Sequence, residues 1–165
     1  MYKSIEGCED SYDEGKNVII KKNIDKNDVI LGISANGSAQ FVLGALDKAN
    51  QIGAYTSLLT FNKIRQKKFI NKTISILVGP EILTGSTRMK AGTATKMILN
   101  IISTTTMIKL NKVYQNFMVD LKISNKKLAN RGVKIVSEIT DLNKKESMGL
   151  IKKANGKVKN AVLMY

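Results

Sequence analysis

Tryptophan and histidine are absent from this 165-residue chain, and cysteine and proline occur once each. Each scarcity removes a class of protein. A single cysteine, Cys8, excludes an internal disulfide framework and fits a reducing cytoplasm. Without histidine and with one thiol, no zinc site is expected, and nothing in the composition asks for another metal or a cofactor. No apolar stretch is long enough to span a bilayer, because residues such as Asn100 and Lys109 interrupt every candidate, so no membrane partner is expected. The amino terminus is acidic rather than basic and does not read as a secretory signal.

The abundant residues point less sharply. Twenty-seven Lys and Arg against 13 Asp and Glu give a formal charge of +14, which invites a nucleic-acid reading. Nearly all the cations are lysines, spread from Lys3 to Lys159 without a dominant block. Lys, Asn and Ile are abundant together, as expected if the coding DNA is rich in A and T. With only five Tyr and four Phe, an aromatic stacking platform is poorly supported. Specific nucleic-acid binding is therefore not expected, although a basic surface attracts anions non-specifically.

Patterning gives an alternation of strands and helices. Residues 11–23 read as a helix with acids in its first turn. Residues 29–33, Val-Ile-Leu-Gly-Ile, fit a buried parallel strand. A polar loop, Ser34–Ser38, precedes a helix over about 39–51, ended by Gly53. Further strands are expected at 54–61 and 73–78, and a long helix from about Thr87 to Leu110. In that helix Ala91, Ala94, Ile98, Ile101, Thr105 and Ile108 make one stripe, and burial must override the poor propensity of Ser103–Thr106. A further helix uses Leu128, Gly132, Ile135 and Ile139, and everything after about residue 110 is expected to be helical. In the tail, Asn143 and Glu146 resemble a capping box, and Met148, Ile151, Val158, Ala161 and Val162 supply short apolar faces. The expected fold is a three-layer α/β/α parallel sheet. Ligands in such sheets bind beyond the carboxyl ends of the strands, so Ser34–Ser38 and Thr84–Thr87 are expected on one rim.

The most informative segment is Gly79-Pro80-Glu81-Ile82-Leu83-Thr84-Gly85-Ser86-Thr87-Arg88-Met89-Lys90-Ala91-Gly92-Thr93-Ala94. A strand ends at Val78, Gly79 and Pro80 break the chain, and a hydroxyl-rich turn opens into the long helix. Ser86 or Thr87 can cap it. Arg88 and Lys90 oppose the helix dipole, which suggests that an anion is expected nearby. The plainer reading is an ordinary cap followed by two solvated charges.

This segment closely resembles the signature of the N-acetylmuramic acid 6-phosphate etherases and the related glucokinase regulatory proteins, both built on the sugar-isomerase (SIS) domain. The resemblance continues through Lys96–Thr104, Lys112–Tyr114, Asn116–Asp120 and Asn125–Leu128, and upstream through Ile5–Asp10 and Val42–Leu46. It implies a partial SIS domain over 1–138 and part of a small helical appendage over 139–165, and it implies that a first βα unit and the end of the appendage are lacking. It also implies an ether-cleaving lyase that releases D-lactate from a sugar phosphate. Such chemistry must hold a phosphate, remove a proton next to an aldehyde and protonate the departing oxygen.

By resemblance, Glu9 is the general base; read locally, Glu9 and Asp10 merely begin a helix. The partner acid is implied upstream, after a Gly-Thr-Ser-Gly loop, and no Asp or Glu of this chain matches it. Where the family usually reads Ala-Ser-Gly-Arg-Thr-Pro-Tyr, this chain reads Ala35-Asn36-Gly37-Ser38-Ala39-Gln40-Phe41. Asn36, Gly37, Ser38, Glu81, Ser86 and Thr87 are the expected substrate-binding residues. The implied partners are a sugar 6-phosphate and a second copy of the chain or a complementing fragment. Three functions follow: an etherase, split, decayed or completed by another chain; a non-catalytic sugar-phosphate sensor; and, least favoured, a nucleic-acid binder.

Overall fold

The computed structural model describes residues 7–165, so Ile5 and Glu6 of the amino-terminal motif lie outside the described residues. The chain forms two compact units that divide between Ile98 and Leu99.

In the first unit a 3-10 turn at Cys8–Asp10 leads into α1 (Tyr12–Lys21). Ser11 caps α1, its Oγ accepting from the Glu14 amide at 3.2 Å, while Asp13 and Glu14 occupy the first turn, where the dipole favours acids. Then come β1 (Val29–Ile33), α2 (Gln40–Ile52), β2 (Tyr55–Thr60) and β3 (Lys72–Ser75). Gly53 ends α2 at φ 94°, returning its amide to the carbonyls of Ala49 and Asn50. The strands pair in parallel in the order β1-β2-β3, with Val29 opposite Tyr55 and Ser57 opposite Lys72. All three expected strands are present. β3 is shorter than the expected 73–78: the Ile76 amide still donates to Thr60, but β2 ends there.

Successive residues of β2 face opposite sides of the sheet, as the pleat requires. Leu58 packs with Leu43, Leu46 and Ile70 beneath α2, whereas Leu59 packs with Phe61 and Ala91 beneath α3 (Lys90–Lys109). Helices thus cover both faces, the three-layer α/β/α arrangement expected from the alternation. Leu46, Leu58 and Leu59 are fully buried, each contributing roughly 1.5–3 kcal/mol. α1 lies directly against α2, and two glycines permit the approach: a Cβ on Gly15 would sit 2.0 Å from the Phe41 carbonyl oxygen, and one on Gly44 2.0 Å from that of Tyr12.

The stripe expected on α3 is buried only at its start. Ala91 is covered and Ala94 and Ile98 pack against the same cluster, but Ile101 is 56% and Ile108 52% exposed. Ser103–Thr106 are not held helical by burial within the chain, as was expected. They are exposed, and the hydroxyls of Ser103 and Thr106 donate back to the carbonyls of Asn100 and Ile102 at 3.2 and 2.8 Å, so these side chains find partners on the helix itself.

The second unit corrects the expectation of helix alone after residue 110. β4 (Val113–Tyr114) and β5 (Phe117–Met118) form an antiparallel hairpin turning through Gln115 at φ 51°, and Lys122 bridges Lys157 in antiparallel fashion. Two-residue strands are too short to show alternation. α4 (Lys126–Thr140), α5 (Lys144–Lys153) and α6 (Val158–Leu163) follow. Val133, Val136, Ile151, Val158 and Ala161 form their common core. The capping box is present: Asn143 Oδ1 accepts from Glu146 N and Glu146 Oε2 from Asn143 N, both at 3.0 Å. No helix among the described residues is long and apolar enough to cross a membrane.

Candidate functional site

The first polar loop leaves the carboxyl end of β1 and folds on itself. Ser34 is 6% exposed; its Oγ donates to Asn36 Oδ1 at 3.2 Å and accepts from the Ala39 amide at 3.3 Å. Asn36 Oδ1 also accepts from the Ser38 amide at 3.1 Å, an Asx turn. Asparagine at this position therefore stabilises the loop through its own side chain. The carbonyl of Ala35 anchors the loop to β2, accepting from Phe61 N, Thr60 Oγ1 and Asn62 Nδ2 at 2.9, 3.2 and 3.2 Å. Beyond Ala39, the first amides of α2, those of Gln40, Phe41 and Val42, have no hydrogen-bond partner among the described residues.

The second loop is built differently from the sequence expectation. Neither Ser86 nor Thr87 caps α3, which begins at Lys90. Glu81 does so from nine residues upstream, its two carboxylate oxygens accepting from Lys90 N at 2.9 Å and Ala91 N at 3.0 Å. Lys90 Nζ donates to the Pro80 carbonyl at 2.7 Å. The anion anticipated beside Arg88 and Lys90 is supplied by the chain itself. Hydrogen bonds from Ala91 and then Lys90 hold the Glu81 carboxyl below its ordinary value of 4.5.

That shift has a sign. The folded state favours ionised Glu81, so its contribution is complete above pH 4.5 and is lost as the pH falls below 4.5 through the lowered folded value. Melting temperatures of wild type and Glu81→Gln, followed from about pH 7 to about pH 2, should differ at neutrality and converge in acid. A gap that persists unchanged in acid would mean that the carboxylate's charge is not what stabilises the helix start.

The two loops and the Cys8–Asp10 turn enclose one cavity of about 650 Å³. Five of the residues singled out by sequence line it: Glu9, Asn36, Ser38, Glu81 and Thr87. Gly37 and Ser86 are not among its lining residues. Gly37, at φ 75°, instead faces Ile64 and Thr60, where a Cβ would approach Ile64 to 2.7 Å. Ser34, in the loop expected on the rim, lines the cavity too, and sequence reasoning missed Asp10 and Asn62, which also line it. Asn62 sits next to a strand end, and that position was the available signal. Three carboxylates, Glu9, Asp10 and Glu81, contribute to the wall, and among the described residues no Lys or Arg does. Among those residues no group of acids and thiols is placed to hold a metal ion. The remaining polar groups are hydroxyls and amides, so an anionic ligand here would be held by neutral donors.

Comparison with known proteins gives two findings. Residues 115–161 match the family model of the C-terminal lid domain of glucokinase regulatory protein. Nearly the whole chain is similar to proteins named N-acetylmuramic acid 6-phosphate etherase. That of Clostridium acetobutylicum is 45% identical over 168 aligned residues, covering 99% of this chain and 55% of the relative. That of Thermosynechococcus vestitus is 44% identical over 166, covering 100% and 54%. That of Petrotoga mobilis is 46% identical over 165, covering 99% and 55%. The chain spans about half the length of the curated relatives it matches.

Proposed function

This chain belongs to the N-acetylmuramic acid 6-phosphate etherase family, and from that premise we propose that its cavity binds a sugar 6-phosphate and serves a carbon–oxygen lyase releasing D-lactate in cytoplasmic amino-sugar recycling. The observation that carries the reading is convergence. Glu9, the Asn36–Ser38 loop, and Glu81 with Thr87 come from three separate segments and line one cavity.

The phosphate lies against the α2 amides that have no partner among the described residues, with Ser38 and Asn36 as neutral donors. Glu9, on the turn before α1, removes the proton at the sugar's C2. The departing lactate oxygen needs a proton of its own, and by resemblance the acid that gives it is not among residues 1–165. These residues by themselves are therefore proposed to bind and deprotonate faster than they release lactate. A second reading, a sugar-phosphate sensor without turnover, is favoured by the altered loop, in which Ser38 stands where the family usually has arginine.

Titration calorimetry with a sugar 6-phosphate tests the binding half. Ser38→Ala should weaken affinity about tenfold, the usual worth of one hydrogen bond to a charged group. Ser86→Ala should leave affinity within about twofold, since Ser86 is not in the lining. The opposite ranking would move the phosphate to the second loop. Rapid lactate release by the unaltered chain would sink the slow-turnover claim and the sensor reading together.

We also propose that two copies of the chain associate through the apolar side chains left exposed on α3, among them Met97, Ile101 and Ile108. Sedimentation should show a dimer that dissociates on dilution. A monomer at the highest soluble concentration would overturn this.

A further inference from the structure

The second unit holds a cavity of its own. It measures about 580 Å³, lies between the segment after β5 and the turn from α5 into α6, and shares no lining residue with the one that Glu9 lines. Lys122, Lys157 and Lys159 line it, together with Asp120, Asn155 and Asn160. The backbone fixes this grouping. Asn155 and Gly156 take left-handed conformations at φ 53° and 75°, and Gly156 N donates to Ile151 O at 2.9 Å as α5 ends. The chain thereby returns to set Lys157 opposite Lys122 in an antiparallel bridge.

Like charges directly opposite one another in such a bridge repel, because the paired Cβ atoms stand only about 4.5–5.5 Å apart. Neither lysine has an ion-pair partner among the described residues. Asp120 is the one carboxylate among the described lining residues, and Lys112 already engages it. The hydrogen bond from Lys112 holds the Asp120 carboxyl below its ordinary value of 3.8, and the charges of Lys112 and Lys159 add to that effect. Lys159 Nζ donates to the Asn111 carbonyl at 3.1 Å and keeps two further donors.

We propose that this cavity is a second, phosphate-binding site, in which Lys122 and Lys157 hold one phosphate group between them, Lys159 adds a third cation, and Asn155 and Asn160 supply neutral donors. The site stands apart from the sugar-phosphate reading and does not rest on it. Lysines bind phosphate as point charges, and a bound dianion turns the repulsion across the bridge into two attractions. The concave shape selects a compact anion over a polymer. Its volume falls within the roughly 300–1,000 Å³ of small-molecule pockets, which admits a phosphate ester as well as free phosphate.

The test is an amide-resolved NMR titration of the chain with inorganic phosphate and then phenyl phosphate, at constant ionic strength. In wild type the amides of Lys122 and of residues 157–160 should shift along one saturating curve. Lys122→Gln and Lys157→Gln should each weaken affinity about tenfold, whereas Lys152→Gln, at an exposed lysine outside the lining, should leave it within about twofold. Tighter binding of phenyl phosphate would support an ester as the occupant, and equal binding would support free phosphate. Melting temperature gives a second readout. Phosphate in place of chloride at equal ionic strength should raise that of wild type and Lys152→Gln more than that of Lys122→Gln or Lys157→Gln. An equal rise in all four proteins would overturn the proposal, since phosphate would then act only as a general stabilising salt. Shifts that never saturate and spread over the surface lysines, saturating shifts unaffected by either cavity substitution, or no shift at these amides would overturn it as well.

Discussion

Gly44→Ala should destabilise the first unit by about 3 kcal/mol and lower its melting temperature by roughly 10 °C. The added methyl would lie 2.0 Å from the Tyr12 carbonyl oxygen and 2.8 Å from its carbon, so backbone would meet side chain with no flexible end to yield. α1 must then move away from α2. Denaturant unfolding measures the cost. Gly15→Ala attacks the same crossing from the other helix, since its methyl would stand 2.0 Å from Phe41 O. The two substitutions should be strongly sub-additive, because once either has parted the helices the other methyl has room. Additive losses would mean that each glycine is needed for a separate reason. The effect should also reach the cavity. α1 carries the Cys8–Asp10 turn on its amino-terminal side, so displacing the helix displaces Glu9 and weakens ligand binding without altering any group that touches the ligand.

Glu9→Gln should slow removal of the sugar's C2 proton by about a hundred- to ten-thousand-fold while changing ligand affinity little. Glutamine preserves shape and hydrogen bonding but cannot accept the proton. The measurement is exchange of that proton with deuterated solvent, which needs only the base and is therefore readable whether or not lactate leaves. Asp10→Asn is the natural comparison, because both carboxylates line the cavity from the same turn. Unchanged exchange in Glu9→Gln with loss in Asp10→Asn would transfer the base to the neighbouring residue. Unchanged exchange in both would remove this turn from the chemistry.

What was legible in the sequence was what local chemistry decides. Apolar runs bounded by polar turns gave the strands, Gly53 gave the end of α2, and Asn143 with Glu146 gave the cap of α5, each depending on residues close in sequence. The α3 cap was missed for the converse reason. Its carboxylate arrives from Glu81, nine positions upstream, over a strap whose course depends on two left-handed glycines. Ser86 and Thr87 had the better local credentials and lost to an ionised group that satisfies two amides at once. The hairpin at 113–118 carries no period to detect. At the cavity, strand–helix alternation placed both polar loops on one rim, but nothing local could place Glu9 there. Its acids fit a helix start equally well, and only the family resemblance singled it out.

The exposed second half of α3 also has a consequence for kinetics. Residues 99–109 form eleven helical positions that are all exposed among the described residues, and a helix of that length is marginal in water on propensity alone. Its amides should open and close by fraying and exchange with solvent quickly in the lone chain. The first half, anchored by Ala91, Ala94 and Ile98, should exchange much more slowly. If two chains meet along this face, each association event withdraws those amides from exchange, and protection in residues 99–109 should climb with protein concentration while the rest of the chain stays constant. One stretch of backbone would then act as an internal clock, reporting how long a chain spends with its partner.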